Sequence, residues 1–356
     1  MQGPFSLLQG HEQVVFGHDE QTGLRSIIAI HSTQLGPSLG GTRFYPYESE
    51  AAALVDVLRL SRAMSYKAAC AGLDLGGGKA VIIGDPETDK TEPLLRAYGR
   101  QVESLGGRYV TACDVGTYPQ DMEVIGRETR WATGKDLAHG GSGDSGILTA
   151  YGVFVGMLAT ADRVWGTSGL AGRHVSVQGL GKVGRRLVEH LVEGGAKVTV
   201  TDVDAEAVAR VAERFTVETV APDDVYDVDA DVFSPNALGA VLSRATIPRL
   251  QVEAVCGGAN NQLATLEDAE RLRDAGVLYA PDYVVNAGGL INVADELHPE
   301  GHNPDRCLAK AQHIGVTLRE IFTLAKEQGV NSEVAAEAVA ERRMATVGHL
   351  RRFLIT

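Results

Sequence analysis

Two lysines and one aspartate stand where they could act together on a small carboxylic acid. Lys79 follows three consecutive glycines and precedes an apolar segment typical of a buried strand. Lys67 lies upstream of it, and Asp114 ends a predicted strand just before a turn. Two lysines in one pocket suit a carboxylate ligand, since one can pair with the anion while the other serves proton transfer. The alternatives are two surface lysines and a turn-forming aspartate.

The elements that must position these residues follow from periodicity and turn residues. We expect strands at 14–16 and 27–30 joined as a hairpin, a glycine-rich loop at 35–43, a helix at 49–69, the strand after Lys79, a helix at 93–105 and a strand at 107–114. Lys67 then falls in the last turn of the first helix or just past it. The glycines before Lys79 predict a turn against which a substrate can lie closely.

A second site is predicted from a glycine pattern in its proper context. The pattern G-x-G-x-x-G is formed by Gly179, Leu180, Gly181, Lys182, Val183 and Gly184. A strand at 174–178 precedes it, a helix at 182–193 follows, and a second strand at 196–201 ends at Asp202. This arrangement predicts a dinucleotide site, with the pyrophosphate at the helix start and Asp202 on the adenosine ribose. A carboxylate there repels a 2′-phosphate, which favours NAD over NADP, although Lys182 could soften that preference.

Further short strands at 231–233, 254–256 and 277–279 indicate repeated βα units and a parallel sheet. Asn260, Asn261 and Asn286 fall at carboxyl ends of this series, where ligands bind. We assign Asn260 to the cofactor and Asn261 and Asn286 to the substrate; ordinary turn asparagines are the alternative.

The predicted fold is α/β, with two domains: a Rossmann-type doubly wound parallel sheet and an α/β substrate and oligomerisation domain. A segment rich in glycine and serine at 140–146 marks the boundary. We expect a substrate-binding and catalytic domain at 1–145 and an NAD-binding domain at 146–329. Helices at 330–356 are expected to pack back on the first domain.

Composition excludes several classes of protein. The chain has 356 residues, is 44% hydrophobic and carries a net charge of −13, which disfavours nucleic-acid binding. We find no signal peptide and no apolar segment long enough to span a bilayer, so no membrane partner is expected. Its 4 cysteines are scattered without a C-x-x-C pair. That predicts no metal site and fits a reducing cytoplasm.

Taken together, the motifs resemble those of the glutamate, leucine, phenylalanine and valine dehydrogenase superfamily, and most closely its branched-chain members, leucine and valine dehydrogenase. The resemblance rests on the segments 35–43, 64–67, 76–79, 111–116, 257–263 and 280–289. It implies oxidative deamination of an L-amino acid to its 2-oxo acid, ammonia and NADH. It also implies a homo-oligomer, either a dimer or an octamer.

The resemblance assigns roles residue by residue. Lys67 matches the lysine that binds the substrate carboxylate, Lys79 the catalytic lysine and Asp114 the aspartate that moves protons at the amino group. Thr149 matches a threonine near the nicotinamide amide. Asn236 is a departure, because relatives often carry cysteine there.

By resemblance, the substrate side chain is surrounded by Leu39, Ala112, Leu290 and Val293 with the backbone of Gly40. An apolar pocket disfavours glutamate, because a buried carboxylate would lack a partner. Bulky aliphatic residues favour a short branched chain, so valine is the expected substrate, with leucine and isoleucine accepted. Three alternatives stay open: a phenylalanine dehydrogenase, a hydroxy-acid dehydrogenase and a non-catalytic nucleotide-binding relative.

Overall fold

The computed structural model describes residues 4–8 and 10–351, which fall into two compact units. The first unit contains the chain up to Gly143, residues 292–303 and the chain from Ala340, and the second contains Asp144–Ile291 and Pro304–Val339. The strands are β1 (Gln13–Asp19), β2 (Leu24–Ser32), β3 (Ser38–Tyr45), β4 (Gly76–Ile83), β5 (Tyr109–Cys113), β6 (His174–Gln178), β7 (Lys197–Thr201), β8 (Glu218–Thr219), β9 (Val232–Pro235), β10 (Ala254–Val255) and β11 (Leu278–Tyr279). The helices are α1 (Glu50–Cys70), α2 (Glu92–Ser104), α3 (Pro119–Ile125), α4 (Gly146–Trp165), α5 (Gly184–Glu193), α6 (Ala205–Arg214), α7 (Glu267–Asp274), α8 (Asp282–Val285), α9 (Gly288–Asp295), α10 (Pro304–Gln328) and α11 (Ser332–Arg351).

The first unit is built on a five-stranded mixed sheet with the order β1-β2-β4-β3-β5. The predicted hairpin is confirmed as the antiparallel pair β1 and β2, and β3 runs parallel to both β4 and β5. One face of the sheet packs on α2 through a core that includes Phe44 and Tyr98. The other face packs on α1 through Val57 and Val81. Two helices therefore cover opposite faces of one sheet.

The glycine-rich segments of this unit are strands, so two predictions were wrong. The segment 35–43 was predicted to be a loop, but β3 begins within it at Ser38. The glycines before Lys79 were predicted to form a turn, but they are the first three residues of β4. Glycine is unfavourable in a strand unless another backbone approaches closely.

Two close backbone contacts explain these glycines. A Cβ on Gly77 would overlap the backbone of Ser65, which lies in α1. A Cβ on Gly40 would overlap the carbonyl oxygen of Gly78 on the neighbouring strand. Because glycine has no side chain, α1 and the strands can pack closely. This packing role differs from the substrate contact that was predicted for the glycines near Lys79.

The second unit confirms the predicted doubly wound sheet. Its six strands have the order β11-β10-β9-β6-β7-β8, and all their pairings are parallel. The chain moves outward from β6 to β8 and then returns to place β9 on the other side of β6. The connections after β6 and β9 thus leave the sheet in opposite directions, which is where nucleotide sites form in such sheets.

The helix α4 corrects the prediction that no apolar segment is long enough to span a bilayer. Its 20 residues have the length and composition of such a helix. However, 50% of its most apolar window is buried, and it packs against α5 and α10. Asp162 near its end pairs with Arg319 of α10 at 2.7 Å. These contacts are those of a core helix of the second unit.

The division into units differs from the predicted boundaries. The first unit ends at Gly143 rather than at residue 145, and it also contains 292–303, which was predicted to lie in the second domain. The reason is Glu296, whose carboxylate accepts hydrogen bonds from the backbone N–H groups of Gly134 and Ser142, both at 2.9 Å. A returning segment is thereby attached to the first unit.

The C-terminal helix α11 contributes residues to both units. Its residues from Ala340 belong to the first unit, whereas the segment that packs back was predicted from residue 330. Glu341 accepts a hydrogen bond from the Tyr66 hydroxyl at 2.8 Å. Residues 352–356 of the predicted segment lie outside the described residues.

Candidate functional site

Lys79, which is buried, forms an ion pair across a strand with the partly exposed Asp114. Lys79 was predicted to lie at the start of a strand, but it lies inside β4. Asp114 directly follows β5. Between them runs β3, where a Cβ on Gly41 would stand 2.9 Å from the Asp114 Cβ. Because glycine leaves this space open, the Lys79 Nζ reaches to 3.0 Å from Asp114 Oδ1. Only 5% of Lys79 is exposed.

The second oxygen of Asp114 is held by a cation that the sequence did not single out. Arg43 donates from Nε to Asp114 Oδ2 at 2.9 Å. Burial raises the pKa of Asp114, but the charges of Lys79 and Arg43, with a hydrogen bond from each, outweigh it and hold the pKa below its usual range. Asp114 is therefore a carboxylate at neutral pH, with a nitrogen donor of Lys79 on one oxygen and of Arg43 on the other.

Lys67 lies in the last turn of α1, as predicted, and is half-buried. The helix meets β4 at Gly77, where it approaches the strand backbone. Side chains alternate along a strand, so Gly77 and Lys79 belong to the same face. Lys67 is thus carried by the helix that covers the face bearing Lys79.

Two predicted pocket residues share that face. Leu39 is paired with Gly77 in the register of β3 and β4, and Ala112 is paired with Gly41 in the register of β3 and β5. Directly paired residues project to the same side of a sheet. Leu39 and Ala112 are both buried. This face therefore presents apolar side chains next to the Lys79 amine.

The other predicted pocket residues are placed differently. Gly40 belongs to the opposite face, where its carbonyl accepts a hydrogen bond from the Tyr109 hydroxyl at 2.6 Å. Leu290 and Val293 are three residues apart on α9 and so lie on one side of that helix. The boundary between the units falls within α9, with Leu290 in the second unit and Val293 in the first.

The three glycines of the pattern in the second unit have different structural roles. Gly179 turns the chain after β6 with φ +94, a conformation that favours glycine. A Cβ on Gly184 would overlap the Gly179 carbonyl oxygen, so this glycine permits close packing of α5. Around Gly181 nothing lies within 4 Å of a Cβ position. The open backbone at Gly181 and the start of α5 fit a pyrophosphate. The helix begins at Gly184, two residues later than the predicted 182, so Lys182 precedes it and is exposed.

Asp202 follows β7 as predicted, and it also holds the glycine loop. Its Oδ2 accepts from the Leu180 N–H at 2.5 Å, and its Oδ1 accepts from the Asp204 N–H at 2.9 Å. Between these acids Val203 is 90% exposed. Two carboxylates beside an exposed apolar side chain suit a ribose with free hydroxyls next to a flat base, and they oppose a phosphate.

The predicted asparagines form part of a connected group of loops. Asn286 donates to Asn260 Oδ1 at 2.8 Å, and it follows the short helix α8 rather than a strand. Asn261 has φ +52, a left-handed conformation that asparagine tolerates. Asn236 accepts from the Gly258 N–H at 2.8 Å. The unusual Asn236 thus ties the loop after β9 to the loop after β10.

Thr149 lies near the start of α4 and is buried. Its hydroxyl donates to the Ser145 carbonyl at 2.9 Å, within the helix. The Oγ1 stands 3.0 Å from a Cβ position on Gly289, so the absence of a side chain there leaves room beside the hydroxyl.

Sequence reasoning missed Arg43 and its second partner, Asp56. Arg43 lies in a segment that was predicted to be a loop, and only a strand would have placed it on the face of Leu39 and Gly41 through alternation. Asp56 sits in α1, where an exposed helical acid is ordinary. The available signal was the spacing of Leu39, Gly41 and Arg43 by twos.

Comparisons with known families match most of the chain. The family described as "Glu/Leu/Phe/Val dehydrogenase, dimerisation domain" matches residues 11–131. The family described as "Glutamate/Leucine/Phenylalanine/Valine dehydrogenase" matches residues 202–347. The glycine pattern lies between these two matches.

Individual relatives are similar over nearly the whole chain. A valine dehydrogenase of Streptomyces coelicolor is 57% identical, covering 94% of this chain and 93% of the relative. A leucine dehydrogenase of Bacillus subtilis is 48% identical, covering 94% and 91%. Among solved structures, L-tryptophan dehydrogenase from Nostoc punctiforme matches with a TM-score of 0.86 and 45% identity, covering 96% of this chain and 99% of that one.

Proposed function

Because the chain belongs to the Glu/Leu/Phe/Val dehydrogenase family, we propose that it catalyses the NAD-dependent oxidative deamination of a branched-chain L-amino acid, with valine preferred. The family resemblance seen in the motifs is confirmed. The observation that carries the proposal is the ion pair of the buried Lys79 with Asp114 on a face that also presents Leu39 and Ala112. One face combines proton-transfer groups with apolar side chains.

The apolar side chains support the choice of substrate. Leu39, Ala112 and Leu290 are all buried and offer no partner to a substrate carboxylate beyond the one at Cα. Burying an unpaired carboxylate costs several kcal/mol, so glutamate is disfavoured. One methylene discriminates by only about 1–3 kcal/mol, so leucine and isoleucine should also react. The names of the valine and leucine dehydrogenases among the relatives agree with this class.

The second unit supplies the cofactor site. The open backbone at Gly181 would receive the pyrophosphate, and Asp202 with Asp204 would favour NAD by opposing a 2′-phosphate. Thr149 and Asn260 are the proposed polar contacts toward the nicotinamide end. When bound, NAD accepts the hydride from the substrate Cα.

The first unit supplies binding and proton transfer. Lys67 pairs with the substrate carboxylate and so orients the Cα hydrogen. Oxidation at Cα leaves an iminium, and Lys79 in its neutral form takes a proton from the water that attacks the iminium carbon. Asp114, which is ionised and shares a hydrogen bond with Lys79, takes a proton from the substrate ammonium group before hydride transfer and returns it to the nitrogen of the carbinolamine that water attack forms. Its carboxylate then accepts the proton of the carbinolamine hydroxyl. The C–N bond then breaks, and the products are the 2-oxo acid and ammonia.

We further propose a cytoplasmic homo-oligomer, either a dimer or an octamer. The description of the family that matches residues 11–131 as a dimerisation domain supports self-association. All four cysteines are free, which fits a reducing compartment. Sedimentation of the purified protein, together with fractionation of cells, tests both statements.

The decisive experiment is a substrate series measured as kcat/KM with NAD and with NADP. We expect valine to lead, leucine and isoleucine to follow within roughly one or two decades, and phenylalanine, tryptophan and glutamate to be poor. In the reverse direction the 2-oxo acid should consume NADH only when ammonia is present.

Each alternative function predicts a different result in this series. An aromatic amino acid in the lead would overturn the pocket argument, and glutamate in the lead would overturn the branched-chain assignment. Reduction of the 2-oxo acid without ammonia would indicate a hydroxy-acid dehydrogenase. Binding of NADH without any turnover would indicate a non-catalytic relative.

A further inference from the structure

The structure points to a positioning residue for the reaction in the first unit, and this inference depends on the proposed function. We propose that Arg43, held in place by Asp56, orients the Asp114 carboxylate so that one of its oxygens faces the Lys79 amine. Arg43 would then act on the reaction through Asp114, without touching the substrate.

The guanidinium of Arg43 joins two carboxylates. Its Nε donates to Asp114 Oδ2 and its Nη1 donates to Asp56 Oδ2, both at 2.9 Å. The planar group presents its donors at fixed angles, so the position of Asp56 sets the position at which Asp114 is held. A lysine amine offers no such fixed pair of directions.

Asp56 is itself fixed, which makes it an anchor. Its carboxylate accepts from the Tyr47 hydroxyl at 2.7 Å and from Arg59 at 3.1 Å. Burial raises the pKa of Asp56, but the Tyr47 hydrogen bond and the charges of Arg43 and Arg59 outweigh it and hold the pKa below its usual range. The anchor therefore carries a negative charge at neutral pH.

The charged groups alternate in sign along this chain of contacts. Lys79 of β4 and Arg43 of β3 face Asp114, while Asp56 and Arg59 of α1 stand behind Arg43. The thiol of Cys113, which precedes Asp114, is directed away to the Gly134 carbonyl at 3.4 Å. Arg43 is thus the member that connects the catalytic pair to α1.

Removing Arg43 has two consequences that can be separated from misfolding. The Asp114 carboxylate loses the partner of Oδ2 and can rotate away from Lys79, so turnover should fall while amino-acid binding through Lys67 is retained. Burial raises the pKa of Asp114, and Lys79 and Arg43 lower it. Without Arg43 the lowering effect is smaller, so the pKa of Asp114 should rise. Because Asp114 must be ionised, the acid limb of the pH profile should move to higher pH.

The experiment compares Arg43→Gln and Asp56→Asn with a matched control. Arg96 also joins two carboxylates, Glu92 at 2.9 Å and Glu128 at 2.7 Å. It belongs to α2, which packs on the face of the sheet opposite to α1. We expect Arg43→Gln to lower kcat by about 10–100-fold with little change in KM, and to raise the pH of the acid limb. Asp56→Asn should also lower kcat and raise the pH of the acid limb, but by smaller amounts than Arg43→Gln. Arg96→Gln should have the kcat and pH profile of the wild type.

A chemical rescue adds a readout that a structural role would not produce. Guanidinium added at millimolar concentration should restore part of the kcat of Arg43→Ala and leave Arg96→Ala unchanged. If Arg43→Gln does not fold, as judged by its thermal transition, Asp56→Asn decides the question alone. A wild-type kcat and pH profile in the folded variants would overturn the inference.

The failure of this inference is distinguishable from failure of the proposed function. If the wild-type protein oxidises no amino acid, the proposed function fails before any variant is compared. If the wild type is active and Lys79→Ala is not, while Arg43→Gln keeps the wild-type kcat and acid limb, only the positioning role is refuted.

Discussion

The two candidate regions hold their functional groups in opposite ways. In the first unit, Lys79 and Asp114 are drawn together across a strand by charge, and Arg43 and Asp56 extend the contacts to a helix. In the second unit, the loop after β6 is shaped by glycines, and Asp202 binds backbone N–H groups. One region depends on contacts between side chains distant in sequence, and the other on local backbone geometry.

This difference predicts how each region responds to substitution. Removing one member of a buried ion pair leaves the other charge without its partner, which is costly. A loop built from backbone groups loses less when a single side chain changes, since the N–H groups and the start of α5 remain. Substitutions in the first unit should therefore alter turnover strongly, and those in the second should alter cofactor preference moderately.

The largest effect is expected for Lys79→Ala. Loss of the amine should reduce kcat by about 10²–10⁴-fold, the usual contribution of a general acid–base group, while NADH binding is retained. Turnover and NADH fluorescence titration measure the two quantities. The control is Lys90→Ala, which also breaks a lysine–aspartate pair, a partly buried one with Asp121 at 2.9 Å. Equal kcat values for Lys79→Ala and Lys90→Ala would remove Lys79 from its role.

A smaller effect of a different kind is expected for Lys67→Ala. Its proposed ion pair with the substrate carboxylate exists before and during the reaction, so its loss should raise KM for the amino acid by roughly 10–100-fold and change kcat less. KM for NAD should stay the same. Steady-state kinetics with each substrate varied in turn would show this, and an unchanged KM for the amino acid would refute the assignment.

A moderate effect is expected for Asp202→Ala in the second unit. KM for NAD should rise by about tenfold, and the ratio of kcat/KM for NAD to that for NADP should fall, because the carboxylate no longer repels the 2′-phosphate. Asp202→Asn keeps an acceptor for the Leu180 N–H and so separates charge from loop structure. If the ratio is the same in all three proteins, Asp202 does not select the cofactor.

The smallest effect is expected for Glu333, a half-buried acid of the second unit that lies near other acids. Burial, with the nearby charges of Asp282 and Glu337, raises the pKa of Glu333 to about 8. The folded state therefore binds a proton more tightly than the unfolded state, whose value is near 4.5. The stabilising contribution of Glu333 is fully present below the unfolded pKa and is lost as the pH rises through the folded value.

The pH dependence expected for Glu333 can be tested by measuring stability. Glu333→Gln should increase the free energy of unfolding above pH 8 by on the order of 1 kcal/mol and should bring no gain near pH 4. Urea denaturation at both pH values would detect it, with the exposed Glu327→Gln as control. A gain of equal size at both pH values would show that the titration of Glu333 is not the cause.

Much of the second unit was predictable because its determinants are local. The strand, the glycines, the helix and Asp202 all lie within one continuous segment. Gly179 and Gly184 have steric reasons in the structure, whereas the backbone at Gly181 is open. Prediction failed where glycine is compatible with either a turn or a closely packed strand. In β3 and β4 it serves close packing inside strands, and a turn was expected because glycine is common in turns.

The amino-acid sequence by itself determined which chemical groups exist and where the periodic elements run. Lys67, Lys79, Asp114 and the glycine pattern were identifiable because their neighbours predict helix, strand or turn. Only the tertiary structure decided that Arg43 and Asp56 belong with them. The reason is the strand order β4-β3-β5, which places Arg43 beside Asp114 although 71 residues separate them. Coulomb energy depends on distance in space, and spacing along the chain does not specify which strands become neighbours.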